Sequence, residues 1–297
     1  MGADRPKHSP VGQVIWSFNY LLSPKLLPVS FPLLMPELPE VELYRREFEQ
    51  VALHQTIRKI DVENEGRMLP GGLAQLREVA IGHQLVETDR IGKYLFIRLG
   101  NQSWLMWHFG LTGSFTYYQD DALRHRFAHI IFTFDHGWKL SFNSMRKFSR
   151  LEVIDNVADY QRRKKIGPDA QRISREDFAA ALASKTTQIK PALLAQNKFA
   201  GIGNWIADEM LHRVKIHPEM RCHQIETSQY HALHDALQDI IQVAIDYGAD
   251  YEQFPDHFLI RVREDGGHCP RCGRELTRLV VGGRGTYLCD TCQPTPA

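Results

Sequence analysis

Residues 269–292 read CPRCGRELTRLVVGGRGTYLCDTC, a C-x2-C pair, sixteen residues, and a second C-x2-C pair. Cys269, Cys272, Cys289 and Cys292 have the spacing of a zinc ribbon, in which two tight turns each offer two thiolates to one tetrahedral ion. The sequence therefore predicts one structural Zn2+ holding a short hairpin. Arg274, Arg278 and Arg284 fall within it, with Gly282, Gly283 and Gly285 available to shape its tip. A rigid loop of that kind can present guanidinium groups to phosphate.

Working outward, composition sets only loose bounds. The chain has 297 residues, 43% apolar content and 10% aromatics, enough for two modest globular domains. Cys222 alone lies outside the ribbon, and so sparse a set points to a reducing compartment such as the cytoplasm rather than a disulfide scaffold. The net charge of +1 says nothing about partners, because a nucleic-acid binder needs a basic face and not a basic total.

Upstream of the ribbon the pattern is helical. Ser174 can cap a helix over REDFAAALASK with Asp177 three residues on, and further helices fit IKPALLAQ, NWIADEMLHRV and SQYHALHDALQDIIQVAIDYG, with Gly248 as a stop. Between two of these lies Phe199-Ala200-Gly201-Ile202-Gly203-Asn204. Its glycines open into a helix whose free amides favour an anion, and Lys185, Lys190 and Lys198 flank it; a tight helix-helix turn is the plainer reading. Earlier still, TIRKIDVEN, QLVETDRIGKYLFIRLG, SWLMWHFGLTGSFTYY and HIIFTFDHGWKLSFN alternate or run apolar between turn signals such as Asp135-His136-Gly137, which predicts a β-sandwich or flattened barrel.

The first 34 residues read differently. Asp4 is their only acid, and Lys25 and Pro28 break the apolar runs, so they hold neither a signal-peptide core nor about 20 consecutive apolar residues for a membrane span. They are followed by Met35-Pro36-Glu37-Leu38-Pro39-Glu40-Val41-Glu42, where Pro39 suits a helix start and the acids sit at its positive end.

PELPEVE after a methionine, RIGKYLFIRL, HFGLTGSF, KFAGIGNWIADEML with IHP downstream, and the ribbon with GRGTYLC resemble, in order and spacing, the formamidopyrimidine-DNA glycosylases. The resemblance runs from Pro36 to Gln293. It implies an α+β multidomain fold: a catalytic β-sandwich domain over 36–160, a helix-two-turn-helix DNA-binding domain over 170–262 and a zinc finger over 264–293. It also implies removal of oxidised purines such as 8-oxoguanine and formamidopyrimidines from duplex DNA, followed by AP lyase cleavage through β- and δ-elimination, by a protein working as a monomer. The resemblance makes Pro36 the nucleophile, Glu37 the acid assisting base departure, Lys93 the proton donor for β-elimination and Arg284 the residue of δ-elimination. A free α-amino group titrates near 8, so an N-terminal proline has a usable neutral fraction.

The same resemblance places DNA contacts at Leu111, His125, Arg146, Lys147, Phe148 and Asn204, and Lys185, flanking the glycine turn, is a further candidate contact. Leu111 stands where the family has a wedging methionine, filling the hole left by an extruded nucleotide. Ser144-Met145 replace an Asp-Pro, and Lys147 an arginine, which leaves the preference for the opposite base open because lysine lacks the bidentate fork. Ala195-Gln196 replace an Asp-Gln, and Trp205 stands one place before the family's common tyrosine. An attached extension would make the Pro36 nitrogen a tertiary amide, so the expectation is a start at Met35 with the methionine trimmed. Processing of residues 1–34, or a non-catalytic zinc-containing DNA-damage binder, are the alternatives, as is a relative acting on oxidised pyrimidines. Retention of Glu37 and Lys93 favours the enzyme.

Overall fold

The computed structural model describes residues 35–63 and 66–295, so the expected extension lies outside the described residues. Helix α1 (Leu38–Val51) starts from a capping box in which the Glu37 amide donates to Glu40 Oε2 at 2.8 Å. Its 3.6-residue periodicity divides it between two cores. Val41, Tyr44 and Phe48 enter the sandwich, whereas Leu38 is fully buried among the helices of the second domain.

Eight antiparallel strands form the sandwich: β1 (Ile57–Val62), β2 (Leu85–Ile91), β3 (Tyr94–Leu99), β4 (Trp104–His108), β5 (Gly113–Tyr118), β6 (Ala128–Phe134), β7 (Lys139–Ser144) and β8 (Arg150–Ile154). They make two four-stranded sheets, ordered β1-β6-β7-β5 and β2-β3-β4-β8. Trp107 is central, with Phe48, Phe132 and Phe142 rings at 5.7, 5.7 and 4.8 Å. Removing a buried aromatic of this kind costs about 3–5 kcal/mol. The sandwich expectation is met. Helix α2 (Gly72–Ala80), which seals one flank with Leu76 and Ala80, and α3 (Val157–Lys164), which leads out of the domain and is capped by Asn156, are not among the expected elements.

The second domain holds α4 (Arg175–Ala183), α5 (Ile189–Leu193), α6 (Asn204–Val214) and α7 (Thr227–Asp246) around one apolar core. Ser174 caps α4 as expected, its Oγ accepting from the Asp177 amide at 3.0 Å, and Gly248 follows α7 with φ of +62°. The ribbon hairpin is β9 (Thr277–Val281) and β10 (Arg284–Leu288), closed by Gly282 and Gly283, both at positive φ. That is the demand of a two-residue hairpin turn. Gly285 lies in β10 rather than at the tip.

A buried polar clamp joins sandwich to helices. Arg90, 1% exposed, donates to Glu42 Oε2 at 3.1 Å and to Asp169 Oδ2 at 2.6 Å, and the Gly92 amide donates to the same Asp169 oxygen at 2.7 Å. Here the backbones touch. A Cβ on Gly92 would lie 2.6 Å from the Ala200 carbonyl carbon and the Gly201 nitrogen, so the strand β2–β3 turn docks directly on the glycine turn before α6.

Candidate active site and DNA-facing surface

Two polar centres meet where α1, the β2–β3 turn and the α6 N-terminus converge. Pro36 and Glu37 are both buried, directly ahead of α1. The Glu37 carboxylate accepts from the amides of Trp205 at 3.1 Å and Ile206 at 3.4 Å, two of the free donors in the first turn of α6. This replaces the reading of that helix end as a phosphate site: the anion seated there is the protein's own carboxylate. Gly203 makes the seat possible, since a Cβ at that position would sit 2.0 Å from Glu37 Cδ. Gln196 holds the turn, accepting from the Gly201 amide at 3.1 Å and donating to the Ile202 carbonyl at 2.7 Å.

The electrostatics follow from burial. Loss of water pushes the Glu37 carboxyl up to about 7, against the pull of Lys93 and the two α6 amides and with the push of Glu40. Glu40 is also raised, chiefly by burial, although the Tyr251 hydroxyl donates to it. Lys93, partly buried at the tip of the β2–β3 turn, is lowered by desolvation despite both glutamates, with Arg284 adding to the fall. His108, its ring tilted against Tyr94 with centroids 4.8 Å apart, is held down at about 4 by burial and by Lys93 and Arg150. It accepts from the Gly110 amide at 3.2 Å, which leaves its other ring nitrogen the donor. His108 lies in a motif that sequence reading quoted without assigning it a role; its place beside Lys93 is set by the β3–β4 register, Tyr94 opposite His108.

Arg284, at the start of β10, lies near enough for its charge to be felt by Lys93. It is exposed and enters no ion pair among the described residues. The hairpin bearing it is fixed by a buried cluster on α6. Asp208 is fully buried and contacts Lys190 Nζ at 2.6 Å and Arg263 Nη2 at 2.7 Å. The Gly285 carbonyl accepts from Asn204 Nδ2 at 2.8 Å and from Lys190 at 3.3 Å, and Lys190 also donates to Thr286 Oγ1 at 2.7 Å. Lys190 is therefore a structural cation with no exposed surface, not a flanking phosphate contact, and Asn204 bridges helix to hairpin. Gly282 at the tip packs on Pro191, where a Cβ would approach its Cγ to 2.7 Å.

The four ribbon cysteines place their Sγ atoms within 4.8 Å of one another, with Cys272–Cys289 at 3.4 Å and Cys269–Cys292 at 3.9 Å. Zinc–thiolate bonds of about 2.3 Å require tetrahedral edges of roughly 3.8 Å, so the set fits one ion. His212 Nε2 lies 3.3 Å from Cys269 Sγ, and Gln293 accepts from the Cys289 amide at 3.1 Å while donating to the Ile216 carbonyl at 2.9 Å. These outer contacts anchor the module to the end of α6. Arg274 sits in the first cysteine turn, and Arg278 leans over Tyr287 at 5.9 Å, so neither joins Arg284.

Two further turns project from the sandwich. Leu111 lies between β4 and β5, and the exposed Arg146, Lys147 and Phe148 lie between β7 and β8, with Arg146 5.8 Å from the Phe148 ring and Phe148 57% exposed. His125 is next to them, because the Phe127 carbonyl accepts from the Ser144 amide at 3.0 Å. Lys185 is partly buried after α4, on the helical domain.

Comparison with known proteins gives a consistent family. The formamidopyrimidine-DNA glycosylase N-terminal domain matches residues 35–151, the H2TH domain of the same enzymes 166–256, and the zinc finger found in FPG and IleRS 266–295. A formamidopyrimidine-DNA glycosylase of Lactococcus lactis subsp. cremoris is 36% identical over 273 residues, covering 87% of this chain and 99% of that one. One of Arabidopsis thaliana is 30% identical over 269 residues, covering 85% and 69%. A crystal structure of wild-type Lactococcus lactis Fpg (MutM) with DNA containing N7-benzyl-Fapy-dG superposes with a TM-score of 0.79 at 35% identity, over 88% of this chain and all of that one. A MutM complex with carbocyclic 8-oxo-G DNA gives the same TM-score, identity and coverage. With three consecutive domain matches and a Lactococcus relative covered almost end to end, the chain belongs to the formamidopyrimidine-DNA glycosylase family and is a zinc-bearing DNA glycosylase.

Proposed function

We propose that the chain excises oxidised purines, 8-oxoguanine and formamidopyrimidines, from duplex DNA and cuts the strand through a Pro36 imine. The carrying observation is the Glu37 carboxyl, buried beside Pro36 and raised to about 7, a proton donor matched to neutral pH. The Pro36 nitrogen attacks C1′ of the extruded nucleotide, and Glu37 delivers its proton as the sugar ring opens and the base departs. The resulting iminium acidifies the C2′ proton, whose removal expels the 3′ phosphate. Lys93, lowered by burial, exchanges protons during that β-elimination, and Arg284 binds phosphate and assists the second, δ-elimination. Leu111 fills the vacated stack, while Arg146, Lys147, Phe148 and His125 face the DNA, joined by Lys185 and Asn204 on the helical side. Zinc, when bound, supplies no chemistry to the reaction; it holds the hairpin that carries Arg284. The reducing cytoplasm suits four free thiolates.

This chemistry needs a secondary amine, so the active form is one whose chain starts at Pro36. Borohydride trapping on an 8-oxoguanine duplex, with protein starting at Pro36 and with the full chain, tests it. A covalent adduct from the first and none from the second is expected. Tight duplex binding without an adduct from either form would refute the lyase and leave a DNA-damage binder.

A further inference from the structure

We infer that Ser149 is a positioning residue that locks the Leu111 turn to the Arg146–Phe148 turn, and that discrimination among bases opposite the lesion depends on its hydroxyl. This rests on the reading of those turns as DNA-facing. The Leu111 turn is closed by the Gly113 amide donating to the Phe109 carbonyl at 2.8 Å. Ser149, 2% exposed, donates to that same carbonyl at 2.6 Å from the far end of the neighbouring turn. A hydroxyl has one proton and two acceptor sites. With its proton given to Phe109, Ser149 Oγ accepts from Ser144 Oγ at 2.9 Å, which closes the base of the Arg146–Phe148 turn. His129, also buried, holds that base from behind, with Nε2 3.0 Å from the Ser144 carbonyl.

Three more features deny the turns independent motion. The Arg146 amide donates to Thr112 Oγ1 at 3.1 Å. Gly110, at φ of +62°, lies so close that a Cβ would stand 2.6 Å from the Phe148 carbonyl carbon. A Cβ on Gly113 would lie 2.5 Å from Ser149 Oγ. The residue that fills the stack and the residues that face the opposite strand thus share one buried hydrogen-bonded base, and a shift in one is carried to the other.

The test measures Kd for duplexes carrying a tetrahydrofuran abasic analogue opposite each of the four bases, which requires no catalysis. Wild type is expected to spread over the four, and Ser149→Ala to compress that spread about fivefold, in keeping with one lost buried hydrogen bond. Ser149→Thr, which keeps the hydroxyl, restores it. Thr112→Val, cutting the other link, compresses it in a chain whose Ser149 is intact, so a Ser149→Ala variant that fails to fold does not end the test. An equal loss of affinity opposite all four bases, an unchanged spread in either variant, or no spread in wild type overturns the proposal. Borohydride trapping on a single-stranded abasic oligonucleotide reports the Pro36 chemistry separately: it stays unchanged in Ser149→Ala, and its absence in wild type would count against the catalytic reading alone.

Discussion

Asp208→Asn isolates the cluster that holds the Arg284 hairpin. The substitution keeps the shape of the side chain but removes the one negative charge between Lys190 and Arg263, whose nitrogens lie 2.6 and 2.7 Å away. Lys190 has no exposed surface, so water cannot take over, and burial already depresses its pKa in the presence of Asp208. Breaking a buried pair by removing one partner costs about 3–5 kcal/mol. At roughly 2–4 °C per kcal/mol for a unit of this size, melting should fall by about 6–20 °C. Differential scanning calorimetry on the zinc-loaded protein measures it. The cycle with Lys190→Met is the sharper assay: in the Asp208→Asn background the lysine is an unpaired buried cation, so its removal should cost less than in wild type or even stabilise. A melting temperature within about 2 °C of wild type, or the same cost for Lys190→Met in both backgrounds, would refute this account of the hairpin.

Glu37 carries a pH signature. Because its folded pKa is raised from 4.5 to about 7 while a free proline amine titrates at about 8, base excision should follow a bell in pH that peaks between the two and falls on the alkaline side, and Glu37→Gln, which keeps an acceptor for the α6 amides, should lose on the order of 10²-fold or more in excision. Cleavage at a preformed abasic site, where no base departs, should change far less, and equal losses on both substrates would contradict the assignment. The same raised pKa favours the protonated form in the fold, so this stability is full below about 4.5 and is lost as pH rises toward 7; Glu209, also raised to about 7 by burial, acts in the same direction, visible in urea titrations across that window. Gly203→Ala should abolish excision without unfolding the helical core, because its Cβ would take the place of the Glu37 carboxyl, and a variant with wild-type turnover would show that the seat is not needed. Chelating the zinc should abolish duplex binding, monitored by fluorescence anisotropy, while the far-UV spectrum of sandwich and helices persists.

Much of this was legible in the sequence because local rules coincide with the global answer. The cysteine spacing, the Ser174 cap, Gly248 and the Gly282-Gly283 turn are each local demands, and each is met where expected. What escaped notice was long-range. Lys190 read as a phosphate contact because a lysine near a glycine turn has that prior; its counter-charge, Asp208, lies 18 residues on and faces it only through the packing of α5 on α6. Arg90 and Asp169 are 79 residues apart and pair only because the β2–β3 turn meets the glycine turn. Helices α2 and α3 are short, and α3 is held chiefly by Tyr160 rather than by a repeating apolar face.

The position of Glu37 ties the proposed acid to domain docking. Its backbone begins α1, which belongs mostly to the sandwich core, yet its carboxyl is seated on α6 of the helical domain. Separation of the domains would expose the carboxyl to water, remove the desolvation that raises it, and return it toward an ordinary carboxylate, ionised at neutral pH. The raised carboxyl proposed as proton donor therefore exists only in the docked state, in which Arg90 and Asp169 are also paired and Gly92 lies against Gly201. Lys93 follows Gly92 on that turn, so the clamp that docks the domains also sets the lysine beside the acid. The two groups proposed to manage protons are thus assembled by one interface, and disturbing it should remove both functions together.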